Sequence, residues 1–262
     1  MAIYHFDASV ISRSKGRSAT AAAAYRTAEV IKDHRTGEVH DYTCKGGVLH
    51  TETIAPDHAP AWVQDRAALW NAVEQVERRK DAQVAREVRV ALPSELSTEQ
   101  NADLVQAFMR EQFVARGMIV DVALHAPGRE GDQRNHHAHI MLTTREVGPE
   151  GFGAKNRDWN AKELLVSWRG SWAEHVNDTL ERCDIHERVD HRTLVAQRAG
   201  GAHGAGRRAG PPRPALDERG IVEHDAARPC NASGGTLAGG QADWRTGPRD
   251  CRRVQGMGAR LA

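Results

Sequence analysis

Asn135-His136-His137-Ala138-His139-Ile140-Met141-Leu142 alternates in the manner of a β-strand and places two imidazoles two positions apart. Strand side chains point to opposite faces with period two, so His137 and His139 share one face while Ala138, Ile140 and Leu142 share the other. The upstream run Met118-Ile119-Val120-Asp121-Val122-Ala123-Leu124-His125 has the same character and ends in a histidine on the face opposite Val120, Val122 and Leu124. Between the two runs, residues 126–134 are polar and carry Pro127, Gly128 and Gly131, a length and composition suited to a hairpin. The two strands are therefore expected to be antiparallel neighbours. His125, His137 and His139 would then offer three nitrogens to one metal ion and leave coordination positions open for a substrate. Against this stands the plainer reading of half-exposed histidines with ordinary hydrogen bonds. His136 faces away from the pair and is not counted as a ligand.

Outward from these strands the pattern is mixed. Residues 3–10 read as a first strand, and Ser12-Arg13-Ser14-Lys15-Gly16-Arg17 as a basic turn. Ser18 is an N-cap candidate for an alanine-rich helix through Tyr25 to about residue 31. A turn is expected at 34–37, with a hairpin between segments near 41–43 and 48–50. Residues 62–80 read as a helix with Leu69, Trp70, Val73 and Val76 on one side, and 86–92 as a strand ended by Pro93. Ser97-Thr98-Glu99-Gln100 is a capping-box signature opening a helix to about residue 115. The stretch 160–182 carries an apolar stripe of Leu164, Leu165, Trp168, Trp172, Val176 and Leu180, as a packed helix requires. Strands of this kind, separated by helices but including hairpin neighbours, indicate an α+β domain with a largely antiparallel sheet.

The chain has 262 residues and a net charge of +1, enough for one large domain or a domain with a tail. Of its 36 basic and 35 acidic groups, 11 and 6 lie from Arg198 onward, which leaves 25 and 29 in residues 1–197. That balance argues against non-specific nucleic-acid binding by the body as a whole, so phosphate contacts must come from local basic patches. After Gln197 the chain turns rich in Gly, Arg and Pro and loses periodicity, so residues 198–262 are expected to be a disordered tail following a domain at 1–197. The start of the chain has no signal-peptide pattern and no apolar run spans a bilayer, which leads to the expectation of a cytoplasmic protein without membrane insertion. The four cysteines form no C-x-x-C pair, so no cysteine zinc site is suggested.

Tyr25 lies two turns into the first helix among small residues, Ala19 and Ala21 to Ala24, which leave room around its phenol. Alanine is also the strongest helix former, so a stable helix packed through one tyrosine is the plain alternative. The glycine-containing basic turn before the helix N-terminus favours a phosphate backbone at this place. A solvated charged loop is the alternative for that turn.

Met1-Ala2-Ile3-Tyr4-His5-Phe6, Ser12 through Ser18, Ala24-Tyr25, Glu87-Val88 before Ala91-Leu92-Pro93, and the His-x-His strand follow one another in the order and spacing of a known family. Over about residues 1–197 the chain resembles the N-terminal relaxase domain of the MobA/MobL plasmid mobilisation proteins, TraA-type relaxases included. Val189-Asp190-His191-Arg192-Thr193-Leu194 is similar to that family's closing motif. The resemblance implies the HUH endonuclease fold, a palm-like five-stranded antiparallel sheet with a metal at its centre. It implies that Tyr25 attacks the scissile phosphodiester of single-stranded DNA at the nic site of an origin of transfer, leaving a 5′-phosphotyrosyl enzyme and a free 3′-hydroxyl. His125, His137 and His139 match the metal triad, for Mn²⁺ or Mg²⁺, and Glu87 matches an acid that orients a metal ligand or moves a proton. Arg13, Lys15, Arg17 and Arg26 are the expected DNA contacts, and Trp62, Trp159 and Tyr42 are candidates for stacking on bases. Trp70, Trp168 and Trp172 fall at helical core spacing instead. The implied partners are origin-of-transfer DNA, as single strand plus inverted-repeat hairpin, relaxosome accessory proteins and a coupling protein.

The chain departs from the family in one respect: it holds no G-x-x-x-x-G-K-[ST] sequence, so no ATP-driven unwinding is assigned to it. The composition after Gln197 resembles a GC-rich gene read in a shifted frame, which gives the expectation of a truncated or frameshifted relaxase, with a natural short form as the other reading. Two further functions compete with the relaxase reading. One is initiation of rolling-circle replication by the same chemistry, and the other is a non-catalytic origin-binding module that represses local transcription.

Overall fold

The computed structural model describes residues 3–128 and 132–192. The expectations for the 198–262 tail, for the tip of the 126–134 linker and for Thr193 and Leu194 of the closing motif lie outside them.

A five-stranded antiparallel sheet is built from β1 (Phe6–Ser12), β4 (Val48–Ile54), β5 (Gln83–Ala91), β6 (Val120–His125) and β7 (His137–Leu142), in the order β1-β5-β7-β6-β4. β7 occupies the middle, which gives the His-x-His strand a neighbour on each side. The histidine strands are antiparallel neighbours with His125 opposite His137, and His139 faces Ala123 on β6 and Arg89 on β5. Alternation then divides the sheet. Val88, Val90, Val120, Val122, Leu124, Ala138, Ile140 and Leu142 form one core with α3 (Thr98–Gln112) and α4 (Lys162–Arg182). Phe108 anchors it through edge contacts with Phe6, Phe113 and Trp172 at ring separations of 5.1–6.3 Å, each adding about 0.5–1.5 kcal/mol beyond burial. Trp70, Trp168 and Trp172 are fully buried, as their spacing implies.

Against the second core, which includes Ala85 and Met141 of the sheet, pack α1 (Ala19–Thr27) and α2 (Arg66–Val76). The Ser18 hydroxyl accepts from the Ala21 amide and so caps α1. The helix stops at Thr27, four residues earlier than the sequence suggests, because Ala28 turns left-handed at φ 57° and β-branched Val30 and Ile31 enter a strand. β2 (Val30–Lys32) pairs with β3 (Val39–Asp41) across the turn at 34–37. The hairpin expected between 41–43 and 48–50 is therefore replaced by this one, and β4 crosses to the edge of the main sheet.

The helix expected over 62–80 is shorter and broken. A 3-10 turn at Ala61–Gln64 follows Pro60, and Asp65 then caps α2 by accepting from the Ala68 amide. Ser97 and Gln100 form the reciprocal capping box at the start of α3. An additional hairpin, β8 (Arg145–Gly148) with β9 (Gly151–Lys155), connects β7 to α4. Its glycines and exposed positions give no sustained alternation, which is why the sequence did not announce it. Among the described residues no helix is long and apolar enough to cross a membrane.

Candidate active site

The face of the sheet covered by α1 carries the three histidines. His125, His137 and His139 each bring one ring nitrogen to a common point, all within 4.8 Å of one another. Ala123, opposite His139, is small enough to leave the rings room. Each imidazole is oriented through its other nitrogen: His125 Nε2 donates to the Arg26 carbonyl at 2.7 Å, His137 Nδ1 to the Asn135 carbonyl at 3.0 Å, and His139 Nδ1 to Glu87 Oε1 at 2.7 Å. These acceptors fix the N–H on the outer nitrogen and leave a lone pair on the other, the form a metal ligand needs. His136 is not part of the cluster.

Burial holds the rings neutral. It pushes His125 down to about 3, with the Lys45 charge acting in the same direction, and His139 down to about 4 against the opposing pull of Glu87. His137 is lowered too, again first by burial. Three neutral imidazoles converging with oriented outer nitrogens fit a divalent ion. The same shifts set a pH dependence. The unfolded chain takes up protons at these rings as pH falls below 6.5 while the folded chain resists, so their contribution is complete above 6.5 and is lost as pH drops through about 4. Denaturant midpoints of metal-free protein should decline already between pH 6.5 and 5, above the ordinary carboxylate range; a flat profile there would contradict this account.

Glu87 lies on β5, opposite Met141, and is almost fully buried. Its carboxylate receives Arg26 in a two-pronged contact, Nε to Oε1 at 2.5 Å and Nη2 to Oε2 at 2.6 Å, besides His139. Arg17 reaches to 4.0 Å of it. Burial would raise Glu87, but Arg26 and the two hydrogen-bonding partners hold it far below the usual carboxylate range. One acid thus ties the helix that carries Tyr25 to a histidine of the cluster.

Two of the four expected DNA contacts are occupied inside the protein. Arg26 is buried on Glu87 and also bonds the Ala22 carbonyl. Arg13 donates to buried Glu74 at 2.9 Å through Nε and to the Glu77 and Arg79 carbonyls. Glu74 also accepts from the Ala19 amide at 2.6 Å, so it fastens the basic turn to the start of α1. Replacing Glu74 by Ala should cost about 3 kcal/mol, the low end for a broken buried pair because Arg13 keeps its carbonyls; urea denaturation measures it. Lys15 remains exposed and Arg17 is half-exposed. Arg17 lines a cleft of about 700 Å³ together with Tyr25, Arg35, Tyr42, Arg78 and Lys80.

Tyr25 is half-buried on α1, next in sequence to the Arg26 carbonyl that holds His125. The Tyr42 ring meets it edge-on at 5.3 Å. Lys45 lies over its face, 3.8 Å from the ring centroid, and donates to its backbone carbonyl at 2.9 Å. Sequence reasoning missed Lys45, whose only signal was the Gly46-Gly47 pair after it. Of the other stacking candidates, Trp159 is buried core, whereas Trp62 is exposed and packs on Phe152. Asp190 and Arg192 pair with each other at the surface.

Comparison with known proteins gives a consistent picture. The chain is 41% identical over 223 aligned positions to the mobilization protein MobL of Acidithiobacillus ferridurans, covering 74% of this chain and 58% of that one. It is 43% identical over 229 positions to a probable conjugal transfer protein TraA of Sinorhizobium fredii, covering 75% of this chain but only 20% of that one. The chain thus spans little more than half of one relative and a fifth of the other. A solved structure described as the molecular basis of vancomycin resistance transfer in Staphylococcus aureus superposes with a TM-score of 0.68 at 36% identity, over 74% of this chain and all of that one. The MobA/MobL family model itself matches residues 17–218, from the basic turn through all three histidines, and with these relatives it shows that the chain belongs to the MobA/MobL family.

Proposed function

We propose that this chain is a conjugative relaxase domain that nicks single-stranded DNA at the nic site of an origin of transfer and rejoins it. The observation that carries the reading is the convergence of three neutral, oriented imidazoles on the sheet face beneath the helix that bears Tyr25. Membership of a family whose relatives are named for mobilization and conjugal transfer supports it.

In the proposed reaction the Tyr25 oxygen forms a bond to phosphorus as the bond to the 3′-oxygen breaks. The phenol proton is released and the departing 3′-oxygen is protonated, giving a 5′-phosphotyrosyl enzyme and a free 3′-hydroxyl. Because the phosphodiester energy is retained in the tyrosyl ester, attack by a 3′-hydroxyl runs the step backwards and seals the strand. A divalent ion such as Mn²⁺ or Mg²⁺, held by His125, His137 and His139, would neutralise charge on the phosphoryl oxygens. Glu87 keeps His139 in the ligating tautomer and fixes α1 through Arg26. Lys15, Arg17 and the cations around the cleft attract the strand, while Tyr42 and Trp62 offer faces for stacking.

The test is incubation with a labelled oligonucleotide spanning the cognate nic site, with Mn²⁺ or with chelator. A covalent adduct that survives denaturing electrophoresis, maps to Tyr25 by mass spectrometry and fails to form with chelator is expected. Tight binding without an adduct would instead favour the origin-binding repressor.

A further inference from the structure

Lys45 stands out among the charged groups near the site. It is half-buried, and among the described residues it has no carboxylate within salt-bridge distance, whereas the neighbouring Arg26 is neutralised by Glu87. Burial, followed by the charge of Arg26, pushes Lys45 down to about 8, which leaves it mostly protonated at neutral pH. A desolvated ammonium without an acid is costly unless an anion arrives to meet it.

Its surroundings indicate which anion. Nζ sits 3.8 Å from the Tyr25 ring centroid and donates to the Tyr25 carbonyl at 2.9 Å. Its charge is felt at both His125 and His137. The loop that carries it is fastened at two points: the Lys45 amide bonds the Tyr42 carbonyl at 2.9 Å, and the Gly47 carbonyl accepts from Ala126, the residue after His125, at 2.8 Å. A cation held over a phenol ring gains more from the phenolate than from the neutral phenol, because a full charge replaces a quadrupole.

We propose that Lys45 is a positioning residue of the nicking reaction, clamping Tyr25 between α1 and the histidine cluster and supplying positive charge to the attacking phenolate and the incoming phosphodiester. The proposal rests on the relaxase reading with Tyr25 as nucleophile. Lys45 acts on the attacking group through its ring and backbone, so its removal slows bond formation more than it weakens DNA binding.

The experiment compares wild type, Lys45→Met, Lys45→Arg and Lys45→Ala under single-turnover conditions with the cognate oligonucleotide and Mn²⁺, alongside DNA affinity by fluorescence anisotropy. Lys45→Met should form adduct about 10²-fold more slowly at saturating DNA, the size of a lost charge contact at a reacting group, with affinity changed by no more than about threefold. Lys45→Arg should recover part of the rate, and ethylammonium added to Lys45→Ala should restore some of it, which a merely structural lysine would not allow. An unchanged rate in Lys45→Met, a loss confined to affinity, or no rescue by either cation would overturn the proposal. If wild type itself forms no adduct, the relaxase reading falls and this proposal with it. If wild type reacts and the Lys45 variants match it, only the role of Lys45 falls.

Discussion

Tyr25→Phe is expected to give a folded protein that binds origin DNA and forms no covalent adduct. The substitution deletes one oxygen and keeps the ring, so the edge contact with Tyr42 and the Lys45 ammonium over the face both remain. Neither the α1 cap nor the Arg26–Glu87 pair involves the lost atom. Removal of a nucleophile typically lowers turnover on the order of 10⁵-fold or more, leaving only what binding and charge stabilisation provide. The chain has three tyrosines, which makes the assignment sharp. Tyr4 donates its hydroxyl to the Arg169 carbonyl on α4, and burial pushes its phenol well above the ordinary range, so it is unsuited to attack. Tyr42 is the sole rival by position, and Tyr42→Phe should keep the adduct. An adduct that persists in Tyr25→Phe and disappears in Tyr42→Phe would transfer the role to the neighbouring ring.

The site's inner geometry was legible because strand alternation is a local rule. Once 118–125 and 137–142 are strands, the face of each histidine follows, and a short linker makes them antiparallel. The capping box and the Ser18 cap were legible for the same reason, each lying within four residues. The groups whose surroundings local patterning did not reveal depend on partners far along the chain. Arg26 and Glu87 are 61 residues apart, as are Arg13 and Glu74, so a basic turn and a helix that look ready for phosphate each hide an arginine already engaged by a buried acid. Lys45 is the converse case. A lysine in a polar loop carries no sequence mark beyond the Gly46-Gly47 pair after it, and it meets Tyr25 only because β4 crosses to the far edge of the sheet and brings its loop over α1. The order β1-β5-β7-β6-β4, which centres the His-x-His strand, was likewise beyond local patterning.

Glu87→Ala should damage the protein in two separable ways. The first is stability. The carboxylate is 1% exposed and answers a guanidinium that is itself buried, so its removal leaves Arg26, among the described residues, with only the Ala22 carbonyl. Breaking such a pair costs about 3–5 kcal/mol, read as a shift in the urea midpoint. Because Glu87 is held far below its ordinary value of 4.5, its contribution is present above that pH and is lost as pH falls through the folded value. The stability gap between wild type and Glu87→Ala should therefore narrow under strongly acid conditions. The second effect is at the metal. Without Glu87, the His139 Nδ1 proton has lost its acceptor and the ring its orientation, and Mn²⁺ affinity should fall about 10–100-fold by calorimetric titration. A double variant distinguishes the two. Replacing both members of the pair with apolar residues, Arg26→Leu with Glu87→Leu, removes the lone buried charge and should recover much of the stability, since a packed apolar pair often equals a buried ion pair. It returns no acceptor to His139, so the metal defect should persist. Recovery of both would reduce Glu87 to a counterion for Arg26, whereas recovery of stability alone assigns it the orientation of the metal-site histidine as well.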